Sequence, residues 1–336
     1  MLMKNSTKTL FMFMMLFSTM MVLSSTNWIS MWMGLEINMM SFIPMMYFKK
    51  NNSSSESMMS YFMVQSISSI MFLMMIIMNN MIMISSYMMH ESVNTIIMCS
   101  MMFKMGAAPF HMWMPQVMKK MKWETCTLLM TWQKLAPMSV LSSITNNNNL
   151  IMLIALMSTI IGSIGGLNQT SMKMIMAYSS INHLGWMVAC LSFDNEMWIN
   201  YLAIYSIMVI MMTFFFNKMS INFINQMNIN SMTMMEKMLY FSMMLSMGGL
   251  PPFIGFLPKW MVIQSMLTKS MYMLLLIMML MTLITLFYYI RMMSTLMLIN
   301  STTSKLMLKT NMNNNLQLIM FMINMMLPLI MIINMF

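Results

Sequence analysis

Residues 248–260 read GGLPPFIGFLPKW and residues 104–113 read KMGAAPFHMW. Each stretch sets a helix-breaking run inside an otherwise apolar segment. Gly106, Ala107, Ala108, Pro109 and Phe110 echo Gly249, Leu250, Pro251, Pro252 and Phe253 in a shared G-x-x-P-F pattern. Each stretch also carries a lysine, Lys104 or Lys259. Within a membrane, a broken helix is tolerated only where the freed backbone groups are buried in protein or line a water-filled cavity. Five spans separate the two breaks, so the broken segments cross in opposite directions. Matching breaks in oppositely directed segments are the mark of an inverted repeat with half-helix ends at an ion site. A packing kink accounts for one such break; two equivalent breaks, each near a lysine, point to function.

The chain around them is built for lipid. Hydrophobic residues make up 60% of the 336 and charged residues 7%, where a soluble domain carries roughly 25% charged residues. A spanning helix needs about 20 mostly apolar residues. Eleven such segments are predicted, at 8–25, 27–48, 58–79, 94–118, 126–145, 149–167, 174–193, 197–216, 236–267, 271–291 and 316–336. The apolar piece 81–89 is too short to cross and reads as loop. The expected fold is an all-α integral membrane protein, a single membrane domain over 1–336. Within it, 1–145 and 149–291 are the first and second inverted repeats, and 316–336 is a C-terminal transmembrane helix. Lys4 and Lys8 ahead of the first apolar run resemble a signal peptide, but no small-residue cleavage site follows, so the segment reads as a retained first span.

Met occurs 71 times against 9 Gly and a single arginine, Arg291. An AT-rich genome that reads an Ile-like codon as Met, as animal mitochondria do, gives this pattern. Selection for soft Met-rich packing is the alternative, but Met lies on every face of every span. Cys99, Cys126 and Cys190 are isolated and read as small buried hydrophobes.

If the spans alternate, 13 of the 17 Lys and Arg lie on the side of the N-terminus and only Lys269 on the other, with Glu91, Asp194 and Glu196. The remaining three are inside spans. The positive-inside rule predicts such a bias for a correct topology. It places the N-terminus on the matrix or cytoplasmic side and the C-terminus opposite. The net charge of +10 is therefore mostly a topology signal, not a nucleic-acid signature. Lys119, Lys120 and Lys122 also suit anionic lipid headgroups.

Four charges lie inside spans: Glu36, Lys104, Lys134 and Lys259. Glu36 is roughly 13 Å from the outer end of its helix. A mid-bilayer charge costs ~2.5–3.5 kcal/mol on insertion scales and marks a functional site by default. An ion pair gluing helices is the bland alternative, but three lysines share one carboxylate. Burial disfavours a lysine's ammonium form and a nearby carboxylate favours it, so such a row is suited to relaying protons. His183 in AYSSINHLGWM either bridges lysines through water or is a hydrogen-bonded core histidine. His111 either lies near a proton exit or caps the half-helix, His90 and Glu91 read as solvated loop, and the Asn run 146–149 reads as a polar turn. No paired histidines or cysteines suit haem or copper, no G-x-G-x-x-G unit suits NADH, and no cysteine cluster suits iron–sulfur.

The stretches MGLEIN, KMGAAPFHMW, TWQKLAP, GGLNQT, AYSSINHLGWM and GGLPPFIGFLPKW occur in this order over residues 28–291. Together they resemble the subunit 2 family of mitochondrial NADH:ubiquinone oxidoreductase (complex I). The resemblance implies an antiporter-like fold of two inverted five-helix units in the mitochondrial inner membrane. It implies that Glu36 pairs with Lys104, that Lys134 is the central relay, and that Lys259 serves the second broken helix, with His183 and water between them. Protons would pass from matrix to intermembrane space, driven by quinone reduction elsewhere. The chain itself would hold no cofactor; FMN, iron–sulfur clusters and ubiquinone are expected in other subunits. Its partners would be other membrane-arm subunits, antiporter-like neighbours among them, and phospholipids such as cardiolipin. A free-standing cation/proton antiporter usually needs a carboxylate at its ion site, which ranks it second. A passive scaffold subunit is the third reading.

Overall fold

A computed structural model of the chain describes residues 2–47, 52–81, 87–144, 148–193, 196–228, 233–299 and 314–327. Among these residues the structure is helical, apart from turns and one isolated bridge between Ser171 and Phe223. The helices are α1 (Leu2–Ser24), α2 (Trp28–Met46), α3 (Asn52–Met81), α4 (Tyr87–Met105), α5 (Trp113–Lys120), α6 (Trp123–Met130), α7 (Leu135–Ile144) and α8 (Asn148–Gly166). They continue as α9 (Met172–Leu191), α10 (Met197–Lys218), α11 (Met234–Gly248), α12 (Phe256–Thr268), α13 (Tyr272–Ile299) and α14 (Asn314–Asn324). Six described helices are long and apolar enough to cross a membrane. The chain is a multi-pass, all-α membrane protein.

The breaks at 106–112 and 249–255 fall where the G-x-x-P-F pattern puts them. Three expectations need correction. The segment 126–145 is not one continuous helix, because a 3₁₀ turn, Trp132–Lys134, separates α6 from α7. Helix α4 begins at Tyr87, so His90 and Glu91 fall on a helix, not a loop. Span length sets what crosses the bilayer, and a helix is free to run beyond it. Helix α8 begins at Asn148, inside the supposed Asn turn. The loop positions Lys49, Lys50, Asp194, Lys305 and Lys309, and the last nine residues of the C-terminal span, lie outside the described residues.

The chain divides into two compact units, Met1–Leu150 and Ile151–Phe336. In the first, α1 packs closely on α2, and α3 packs on α2, α4 and α5. A Cβ at Gly34 would fall 2.5 Å from Val22 Cγ2, so glycine there permits the close α1–α2 approach. Helix α7 packs on α4 and α1. The Lys120–Glu56 ion pair ties the α5–α6 corner to the start of α3.

In the second unit α9 is the innermost helix, buried from Ile175 to Leu191 except at Tyr178. Gly162 and Gly185 let α8 and α9 touch backbone to backbone and backbone to side chain: a Cβ on either would lie 2.5 Å from Asn182 N or Ser158 Oγ. The two ends of this unit are distinct. At one end Arg291 donates to the Leu167 and Gln169 carbonyls, and Ile224 N donates to Thr170 O at 3.1 Å. At the other end Lys269 Nζ donates to Ser192 O at 3.2 Å and Phe193 O at 3.0 Å. A capping box between Thr233 and Glu236 starts α11, and Gln317 of α14 donates to Glu236 Oε1 at 3.2 Å. Glu236 is fully buried.

Candidate functional site

The two G-x-x-P-F breaks are the same device. At the first, Gly106 takes φ +71°, Gly106 N donates to Phe103 O at 3.2 Å and Ala107 N to Met102 O at 3.1 Å. At the second, Gly249 takes φ +76°, Gly249 N donates to Ser246 O at 3.0 Å and Leu250 N to Leu245 O at 3.2 Å. Both are helix ends closed by a left-handed glycine and a six-residue turn. The lysines, however, stand on opposite sides of the break. Lys104 lies in the last turn of α4, two residues before Gly106, whereas Lys259 lies in the first turn of α12, ten residues after Gly249.

The orphan carbonyls of the two helix ends are therefore met differently. Trp113 Nε1 donates to Phe103 O at 3.1 Å, and Gln65 Nε2 donates to Lys104 O at 3.0 Å. At the second break Lys259 Nζ itself donates to Gly248 O at 2.7 Å. Its Nζ thus sits at the negative end of the α11 dipole. Lys259 is 4% exposed, Lys104 7% and Lys134 1%.

Lys134 occupies a third break. Pro137 has no N–H for the Gln133 carbonyl and its ring crowds that carbonyl. Thr131 Oγ1 donates to Thr127 O at 2.7 Å, and Lys134 N closes a 3₁₀ bond to Thr131 O at 3.3 Å. The turn carries Gln133 and Lys134 toward a cavity of about 20 Å³ that Lys104 also lines. Its other polar walls are Asn38, Tyr61, Gln65 and Gln133. Gln133 Nε2 donates to Asn38 Oδ1 at 3.0 Å, and the Tyr61 hydroxyl makes a long contact of 3.5 Å with Gln133 Oε1. A polar cavity of at least ~10–15 Å³ by this measure holds a water molecule. Two buried lysines of the first unit thus border one water-sized, polar-walled space.

Glu36 is not in that wall. Residues two apart on a helix point about 200° apart, so Asn38 faces the cavity while Glu36 is half-buried beside a groove lined by Leu10, Phe11 and Met14 of α1. Among the described residues the ion pair in contact is Lys120–Glu56.

In the second unit His183 is 2% exposed. Its Nδ1 lies 2.9 Å from the Tyr201 hydroxyl, and its ring is tilted against Tyr205 at 4.8 Å. His111 Nδ1 lies 3.2 Å from Pro109 O, within the first break. A larger cavity, about 700 Å³ between α11 and α14, is walled by Met, Leu and Phe with Thr233, Ser242 and Gln317, and among the described residues no charged side chain lines it. Among the described residues no three His, Cys, Asp or Glu side chains gather to hold a metal ion.

Of the polar wall, sequence reasoning singled out the two lysines and missed Asn38, Tyr61, Gln65 and Gln133. Two of these had a signal: Asn38 follows Glu36 by two residues, and Gln133 adjoins Lys134.

Helices broken at glycine–proline runs, with lysines buried at the breaks, define an antiporter-type membrane subunit, and the family described as NADH:quinone oxidoreductase/Mrp antiporter, TM, matches residues 25–285. The chain is 40% identical over 325 residues to NADH-ubiquinone oxidoreductase chain 2 of Anopheles gambiae, covering 96% of this chain and 95% of that one. It is also 40% identical over 275 residues to the chain of that name from Locusta migratoria, covering 80% and 79%. The chain belongs to the NADH-ubiquinone oxidoreductase chain 2 family. Its fold matches that of a chain in respiratory complex I from Thermus thermophilus with a TM-score of 0.83 at 16% identity, covering 96% of this chain and 77% of that chain.

Proposed function

We propose that this chain is a proton-translocating membrane-arm subunit of respiratory complex I, moving protons from matrix to intermembrane space through Glu36, Lys104, Lys134 and Lys259. Its relatives are named as chains of NADH-ubiquinone oxidoreductase, so electron transfer from NADH to quinone belongs to other subunits, together with FMN and the iron–sulfur clusters. Neighbouring membrane-arm subunits are its protein partners, and phospholipids, cardiolipin included, are its lipid partners. The inner mitochondrial membrane is its location, with the N-terminus toward the matrix. The segments 1–145 and 149–291 act as inverted repeats, each contributing one glycine-broken helix.

The observation that carries this reading is the polar, water-sized cavity shared by Lys104 and Lys134. A proton leaves the Lys104 ammonium for a water in that cavity as the water gives one of its own to the neutral Lys134 amine. One N–H bond breaks, one forms, and the water is regenerated. Glu36 biases the charge toward Lys104, so any movement that weakens its field favours release. Gln133 and Asn38 hold the water's position, and Gln65 fixes the carbonyl end of α4 on which Lys104 is mounted. On the far segment, Lys259 gives one of its protons to the bond with Gly248 O and keeps the others for exchange. His183 provides a water-bridged link.

A scaffold with no relay predicts that Lys134→Met and Lys259→Met leave the assembled complex with native quinone reductase activity and pumping. The relay predicts that either substitution lowers proton pumping by about 10²-fold, the scale of a lost acid–base group, with assembly intact on native gels. Native pumping in both variants would sink it.

A further inference from the structure

Helix α14 takes no part in the relay, yet hydrogen bonds fasten it to the second unit at both ends. At its start, Gln317 Nε2 donates to Glu236 Oε1 at 3.2 Å. The other oxygen of that carboxylate, Oε2, accepts from Thr233 N at 2.9 Å in the capping box that begins α11. Glu236 is fully buried and Gln317 is 6% exposed. About 10 Å further along α14, Asn324 O accepts from Ile254 N at 3.1 Å. Between these ties the two helices stand apart around the apolar cavity of about 700 Å³. Close packing therefore does not fix α14 along that stretch, and the ties do.

The second tie lands on the break itself. Ile254 lies in the 249–255 loop, and among the described residues its bond to Asn324 is the loop's backbone link to a helix other than the two it joins. From Ile254 the path to the lysine is short. Leu257 N donates to Ile254 O at 3.2 Å, which starts the first turn of α12. Lys259, on that turn, donates to Gly248 O at 2.7 Å. The loop has no slack against α11, because a Cβ on Gly255 would fall 1.7 Å from Ser246 O. Asn324 is fully buried, and neither its Oδ1 nor its Nδ2 has a hydrogen-bond partner. An apolar residue would fill that place at lower cost, and a buried amide of this kind is ordinarily met by an ordered water.

We infer that α14 is a strut that sets the seat of Lys259, with Gln317 and Asn324 as its positioning residues. The inference rests on the proton-translocation reading above. Gln317 fixes the start of α14 on the capped end of α11. Asn324 carries that placement to the break through its carbonyl and a water held on its amide. With Ile254 held from α14 and Gly255 pressed against α11, α12 begins in one orientation, with Lys259 aimed at the Gly248 carbonyl. Freed of α14, the loop keeps its bonds to α11 but loses the one that orients the start of α12, and the lysine leaves its seat. Gln317 and Asn324 handle no proton; both act through the backbone of the break.

Reversing the first tie in the assembled complex tests the strut. Gln317→Leu removes the donor and should slow NADH-driven pumping in proteoliposomes about 10-fold, short of the ~10²-fold loss expected when the lysine itself is absent. Glu236→Gln combined with Gln317→Glu turns the bond around, and glutamine still serves in the capping box. This exchanged pair should pump within about twofold of native whether or not Gln317→Leu assembles, and an about 10-fold loss in it overturns the strut. In a Lys259→Met background, Gln317→Leu should add less than about twofold, because the two act on one seat; an independent loss of about 10-fold there overturns the proposal. A high-resolution map of the native complex should show an ordered water on the Asn324 amide and α14 seated on Ile254, whereas a dry amide or a lifted α14 overturns it. Native pumping in Gln317→Leu beside slow pumping in Lys259→Met ends the strut alone. Native pumping in Lys259→Met ends the relay first.

Discussion

Gly249 and Lys259 occupy each other's space. A Cβ at Gly249 would stand 2.8 Å from both Cδ and Nζ of Lys259, and its backbone is left-handed at φ +76°. Gly106 shares the backbone strain, at φ +71°, but its nearest neighbours are Met114 and Trp113 at 3.2 Å. Alanine at either position should therefore lose ~1–2 kcal/mol through strain, visible as a lower unfolding temperature of the assembled complex. Only Gly249→Ala should also dislodge Lys259 from the Gly248 carbonyl, so it should slow pumping several-fold more than Gly106→Ala. Equal pumping in the two variants would show that the lysine's seat on α11 does not matter. The sequence displays the four charges because a charge in an apolar run is rare and expensive. It does not display Asn38, Gln133 or the tyrosines around His183. Neutral polar residues are tolerated in spanning helices, and their meaning depends on which face they share and with whom.

At the level of the helix, two breaks are legible and one is not. Gly106 and Gly249 each precede a proline by three residues, and together those residue types allow no continuous helix. Pro137 acts alone, in a span whose other residues all favour continuation, and a lone proline reads as a kink. Its consequence lies in the hydrogen-bond register: the carbonyl it orphans is that of Gln133, beside the lysine, so the unwound turn falls at Lys134. Pro137→Ala should let that carbonyl take its helical partner and join α6 to α7. Proline inside a helix costs about 3 kcal/mol, so the variant should raise the unfolding temperature of the complex. Rewinding would also turn Lys134 away from the cavity it shares with Lys104, so pumping should fall. A variant both more stable and fully active would mean that the turn does not position Lys134.

Across the molecule, the bias of basic residues is the feature most open to a direct check, because the second unit has two chemically different ends. In the second unit Lys218 closes α10, whereas Lys269 binds the carbonyls of Ser192 and Phe193, just ahead of the start of α10. The two lysines therefore mark opposite ends of one helix. The positive-inside rule assigns the Lys218 end, which also holds Lys173, Lys237 and Arg291, to the matrix. Cysteine placed at Lys218 should react with a membrane-impermeant maleimide only in inside-out particles, and cysteine at Lys269 only in right-side-out mitoplasts. Background should be low, because Cys126 and Cys190 are buried and Cys99 is half-buried. Labelling of both from one face would break the alternation of α10 with its neighbours. Labelling with the faces exchanged would keep the fold and reverse the orientation, and with it the direction assigned to the protons.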